Sequence, residues 1–159
     1  MDTRLAPARA RLYLPRSRGE LLSMYLWLTM AALLLQGVGA LTLALRPDVA
    51  AATPAVLAAL FSANPPHAWI HISWGTLGLL ILATHPAALR RQQLGLVFGI
   101  FYSLLGFLGV ALHDPFGLRL GIVENAIHLT IGPLTLLLVI IAKSEFRAPV
   151  STTIESSVP

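Results

Sequence analysis

Four long stretches of this chain are almost free of charge. They run from about residue 21 to 45, 65 to 84, 93 to 112 and 122 to 142, and the only Asp, Glu, Lys or Arg in them is Glu124. An apolar run of about 20 residues matches a hydrocarbon core of about 30 Å. Within a bilayer the backbone must satisfy its own hydrogen bonds, which for aliphatic runs of this length means helices. Composition agrees. The chain is 56% hydrophobic and 11% charged over 159 residues, too little charge to cover the surface of a soluble domain. The expected fold is all-α, an integral membrane four-helix bundle.

The segments between the runs carry the punctuation. Residues 1–20 form a basic, proline-containing arm with Arg4, Arg9, Arg11, Arg16 and Arg18. Its proximity to a span points to topology and anionic lipid, not to nucleic acid. The first apolar run is longer than the 7–15 residues of a signal-peptide core, so it reads as an uncleaved span. Arg46-Pro47-Asp48 ends it. The short run Ala55 to Phe61 cannot cross a bilayer and suits the interface. Asn64-Pro65 is a cap followed by proline at the first helical position, and it opens the second span. Residues 144–159 end in a polar, Ser/Thr-rich tail with too little apolar surface to pack. The arm, Arg90-Arg91 and Lys143/Arg147 fall on one side of the membrane and only Arg46 and Arg119 on the other. The positive-inside rule then places both termini in the cytoplasm of a multi-pass protein of the cell (inner) membrane.

The chain repeats itself. Ile70-His71-Ile72-Ser73-Trp74-Gly75 aligns with Ile127-His128-Leu129-Thr130-Ile131-Gly132, and Gly37 to Leu45 aligns loosely with Gly106 to Asp114. The bundle is therefore expected to consist of two similar helix hairpins, with the second and fourth spans parallel. Small residues at four-residue spacing, such as Gly95, Gly99 and Ser103, allow close helix approach.

The repeat also places ionisable groups at matched points. His67 and His71 share one helix face, as do Glu124 and His128, because residues four apart stack on a helix. Asn64, Asn125, His113 and Asp114 belong to the same polar layer. Three readings stand side by side. The layer is a set of hydrogen bonds that locks the hairpins together. Or His67, His71, Glu124 and His128 ligate a divalent transition metal, since imidazole and carboxylate suit zinc, iron or copper. Or His71 and His128 are axial ligands of haem b. Gln36, in mid-span, reads as a helix–helix hydrogen bond. Tyr25, Trp27, Trp69 and Trp74 read as interfacial aromatics.

The chain has no cysteine, which removes disulfides and thiolate chemistry. There is no phosphate-binding glycine loop and no nucleophile elbow. His67-Ala68 lacks the glutamate of a metalloprotease motif. The expectation is a non-enzymatic membrane protein, an accessory subunit of a membrane complex or a homo-oligomer, with metal or haem binding in redox or metal handling as the alternative.

The histidine-to-glycine pairs His71/Gly75 and His128/Gly132, the nearby Asn64 and Asn125, and the run Phe98 to Val110 together resemble the bacterial DUF4383 family over about residues 26–141. That resemblance implies a small four-span membrane protein and brings no activity with it. The family pattern pairs an asparagine with each histidine. Asn125 fits it at His128, whereas the matching position before His71 is Ala68.

Overall fold

The computed structural model describes residues 15, 17–61, 64–85, 87–112 and 114–145. His113, residues 1–14, Arg16 and residues 146–159 lie outside the described residues, so the basic arm and the polar tail are largely sequence features here. Among the described residues the chain is helical throughout. The elements are α1 (Arg18–Leu45), α2 (Pro47–Ala52), α3 (Ala55–Leu60), α4 (Pro65–Thr84), α5 (Ala88–Leu112) and α6 (Ile122–Glu145), with a short 3₁₀ turn at Pro115–Gly117.

Local chemistry sets the boundaries. Ser17 caps α1 by accepting from the Glu20 N–H at 3.1 Å. Asn64 caps α4 by accepting from the His67 N–H at 3.0 Å, and Pro65 follows at a position whose missing N–H costs nothing. The same Asn64 amide donates to the Gly117 carbonyl at 2.8 Å, tying the start of α4 to the turn before α6. Pro47 does more than stop α1: it also opens α2, with Asp48 in the first turn. Arg46 and Asp48 form an exposed ion pair at 2.7 Å, and the guanidinium holds the Asp48 carboxyl below its ordinary range.

Among the described residues, three helices are long and apolar enough to cross a membrane: Arg18–Leu45, Ala88–Leu112 and Ile122–Ser144. α4 is as long as a span needs, 20 residues, or roughly 30 Å. However, Pro65, Pro66, His67, Trp69, His71 and Trp74 dilute its first half. Its polar groups face inward: His67 and His71 are buried, while Trp69, Leu77 and Leu80 are exposed. The same inversion holds across the molecule. Leu28, Leu35, Phe107 and Ile140 are exposed, whereas Asn125, His128 and Thr135 are buried. So much apolar surface is tolerable where the surroundings are lipid.

The helices pair as α1 with α4 and α5 with α6, and α1 also packs on α6. Both pairs are antiparallel. Along α1 and α4, Gly37 meets Ala68 and Ile72, Gly75 meets Leu34, and Gly78 meets Met30. Along α5 and α6, Gly95 meets Val139, Gly99 meets Leu136, and Gly106 meets Leu129. The closest approaches correspond. Gly37 against Ile72 in the first pair matches Gly106 against Leu129 in the second, and Gly75 against Leu34 matches Gly132 against Ser103. A Cβ on Gly75 would lie 2.6 Å from the Leu34 backbone nitrogen, so only glycine permits that spacing.

A core of Leu22, Leu26, Met30, Leu82, Phe98, Tyr102 and Val139 joins the two pairs. Tyr25 belongs to that joint and not to an interfacial belt. Its hydroxyl lies 3.0 Å from Thr135 Oγ1 and donates to the Ile131 carbonyl at 3.2 Å. Trp74 likewise packs inward, its ring 5.4 Å from Phe98 and 5.3 Å from Phe101. Trp27 and Trp69 remain exposed.

Candidate metal centre

α4 and α6 run in the same direction on opposite sides of the core, and the matched histidines therefore meet. His71 and His128 have ring centroids 6.1 Å apart. His67, one turn earlier on α4, lies 4.4 Å from His71 and 5.3 Å from His128. All three are nearly inaccessible, with exposures of 1%, 6% and 1% for His67, His71 and His128. One candidate ligand nitrogen from each ring lies within 4.8 Å of the other two.

The rings are close but do not bond to one another. Among the described residues, the side-chain partner of this cluster is Gln36 of α1, whose Oε1 makes a short contact with His71 Nδ1. With the Nδ1–H donating to Gln36, His71 presents Nε2 as a lone pair. That Nε2, His67 Nε2 and His128 Nδ1 are buried and have no hydrogen-bond partner. A buried polar atom left unsatisfied costs about 1–3 kcal/mol, and three in one place are expensive. Tyr102 floors the cluster, its ring 5.2 Å from His128 and 6.1 Å from His71, with a buried hydroxyl that also lacks a partner. Nothing in the spacing of charged residues singles Tyr102 out. Its place in the run Phe98 to Val110, next to the small residue Ser103, is the available sequence signal.

The other members of the expected polar layer go elsewhere. Glu124 lines the same cavity as the three histidines but is not part of the close cluster. Its carboxylate turns back toward Gly121, where a Cβ would lie 2.6 Å from Oε2. Asn125, about 100° further round the helix, is buried against Gly109 of α5 and donates to the Leu120 carbonyl at 3.3 Å. Asp114 accepts from the Arg119 N–H at 2.7 Å and shapes a turn in which Phe116 and Arg119 take positive φ. Asn64 is a helix cap and loop tie. His85, at the far end of α4, is exposed.

The arrangement offers three imidazoles from two helices, a structured partner for one of them, and open space beside them. A cavity of about 730 Å³ lies between α1 and α6, with His67, His71, His128 and Gln36 on its wall. Tetrahedral zinc with M–N bonds of about 2.0–2.1 Å needs ligand nitrogens roughly 3.3 Å apart. The cluster would have to contract by up to about 1.5 Å, within the reach of side-chain rotations. Three imidazole ligands would leave a fourth position on such an ion to be filled, the pattern of an exchangeable site and not of a closed structural one.

The chain matches no protein-family model, no curated protein and no solved structure.

Proposed function

We propose that this is a non-enzymatic integral membrane protein that binds a divalent transition metal through His67, His71 and His128. The observation that carries the proposal is the convergence of three buried imidazoles, each with a ring nitrogen that no protein group hydrogen-bonds among the described residues. A purely structural layer would be expected to bond ring to ring, or ring to Glu124. α4 is taken to cross the membrane with the other three helices, its histidines turned inward. The two termini are taken to be cytoplasmic, and the resemblance to the DUF4383 family belongs to the same proposal.

Zinc and copper fit a three-imidazole set best. Haem b bound by His71 and His128 fits less well. His67 stands 4.4 and 5.3 Å from those two rings, in the space that a porphyrin plane between them would need. Glu124 is close enough to shape the field at the cavity without being one of the converging ligands.

Elemental analysis of protein purified without chelators tests the reading. Near-stoichiometric zinc or copper is expected, and it should be lost in a His71→Gln/His128→Asn variant that keeps its helical spectrum. Metal-free wild-type protein that also fails to take up added zinc or copper would defeat it. A Soret band accompanied by stoichiometric iron would move the assignment to haem.

A further inference from the structure

The fourth position on a three-imidazole ion has no open route from outside. The unpartnered nitrogens of His67, His71 and His128 are all buried, with no appreciable accessible surface. A ligand from the packed interior needs no such route, and one buried oxygen stands there. Tyr102 of α5 is 0% exposed, and its hydroxyl has no partner among the described residues. Besides His71 and His128, the rings around it are Phe98 at 4.5 Å, Phe101 at 5.3 Å and Trp74 at 6.4 Å. Phenylalanine has no hydrogen-bonding group and indole only a donor, so the imidazoles are the ring neighbours with a lone pair to share.

Resting on the metal reading, we propose that the Tyr102 oxygen is the fourth ligand, bound as phenolate. A ligand from within turns the open pattern of three imidazoles into a closed one. Ring spacing supports this. Around one tetrahedral ion with bonds of about 2 Å, ring centroids would stand roughly 5 Å apart for two imidazoles and roughly 6 Å for imidazole and phenol. The observed spacings are 4.4, 5.3 and 6.1 Å among the imidazoles. From Tyr102 they are 5.2 Å to His128 and 6.1 Å to His71. Charge supports it too. Ligating imidazoles are neutral, and one phenolate halves the charge of a divalent ion in a low-dielectric site. On binding, the phenol O–H bond breaks, its electron pair goes to the metal and the proton leaves to the buffer. The helix frame also seats Tyr102. A Cβ on Gly132 would lie 2.9 Å from the Tyr102 carbonyl carbon, so the glycine that lets α6 approach α5 brings Tyr102 beside His128. Counted from Gly37 and Gly106, the corresponding residue of α1 is Leu33. One helix pair alone supplies the phenol, as the other alone supplies Gln36.

Metal-free full-length protein in non-ionic detergent is titrated with zinc(II) and, separately, with copper(II) at pH 8, where the imidazoles are already neutral. Zinc should raise a tyrosinate difference band in the ultraviolet that saturates at about one equivalent, with release of about one proton per ion. Copper(II) should give a visible phenolate-to-metal charge-transfer band. Both signals should vanish in Tyr102→Phe, which keeps its bound metal. Both should persist in a Tyr13→Phe/Tyr25→Phe variant, which retains Tyr102 as the last of the three tyrosines and decides the assignment even where Tyr102→Phe does not fold. Bound zinc or copper with neither signal, signals that survive Tyr102→Phe, or signals lost in Tyr13→Phe/Tyr25→Phe would each overturn the proposal while leaving the three-imidazole site standing. A protein that takes up neither ion would overturn the metal reading and this inference with it.

Discussion

The α1/α4 pair and the α5/α6 pair are built alike and equipped differently. Their closest backbone approaches occur at corresponding glycines, Gly37 and Gly75 in one, Gly106 and Gly132 in the other. Each carries a histidine four residues before the second of these glycines. Around that histidine the pairs diverge. One turn earlier stands His67 in the first pair and Glu124 in the second. Before the first glycine stands Gln36 in the first pair and Leu105 in the second. Gln36 gives His71 a partner for its Nδ1. Leu105 can offer His128 none, and His128 Nδ1 is one of the unsatisfied atoms. The shared glycines build a frame, and the unshared polar residues build a site on it. A repeat that served only packing would have no reason to differ at these positions.

Substitutions that erase or restore the difference test this division. The largest effect is expected from removing a ligand: His128→Leu should abolish stoichiometric metal binding, read by elemental analysis after gel filtration, with the helical spectrum retained. Next comes the frame. Gly75→Ala and Gly132→Ala each push a Cβ into backbone of the facing helix, and each should cost about 1–3 kcal/mol of stability in unfolding from mixed micelles. Similar costs in the two pairs would support the equivalence, and a loss confined to one pair would break it. Gln36→Leu makes the first pair like the second and removes the partner that orients His71. Metal affinity should fall about 10–100-fold with stability little changed, measured by competition with a chromophoric chelator. The reverse exchange, Leu105→Gln, tests whether His128 gains from a partner of its own.

The smallest effect lies outside the spans. The Arg46–Asp48 pair is fully exposed, and its guanidinium lowers the Asp48 carboxyl. A carboxyl lowered by folding stabilises above its unfolded range and loses that contribution as pH falls through its folded value. Asp48→Asn should therefore leave thermal stability nearly unchanged between pH 5 and 8 in moderate salt, as expected of an exposed pair. A marked drop across that window would mean the α1–α2 corner is more tightly coupled to the helices than its exposure suggests.

The helices were legible because their signals are local. Apolar runs, the Asn64-Pro65 cap and flanking charges place α4 at Pro65–Thr84 without reference to the rest of the chain. α2 is not seen that way. Pro47 ends one helix and starts another, and proline carries both meanings. In the site, i/i+4 spacing brings out His67 with His71, and the repeat brings out His128. The same spacing also nominates Glu124, but it says only which face a residue occupies. It does not say that a first-turn carboxylate will fold back toward Gly121. Proximity in sequence suggests Asn125 and Asp114 for the layer, but backbone partners hold them elsewhere. Tyr25 and Trp74 looked interfacial by position along their helices, but rotation about the helix axis turns both inward, and a linear sequence shows depth better than direction.

In the proposed centre three imidazoles share one ion. X-ray absorption at the edge of the bound metal tests it most directly. A first shell near 2.0–2.1 Å is expected, with an outer-shell pattern that fits three imidazoles in the wild type and two in His67→Ala. An oxygen-only shell, or a wild-type pattern that His67→Ala leaves unchanged, would contradict it.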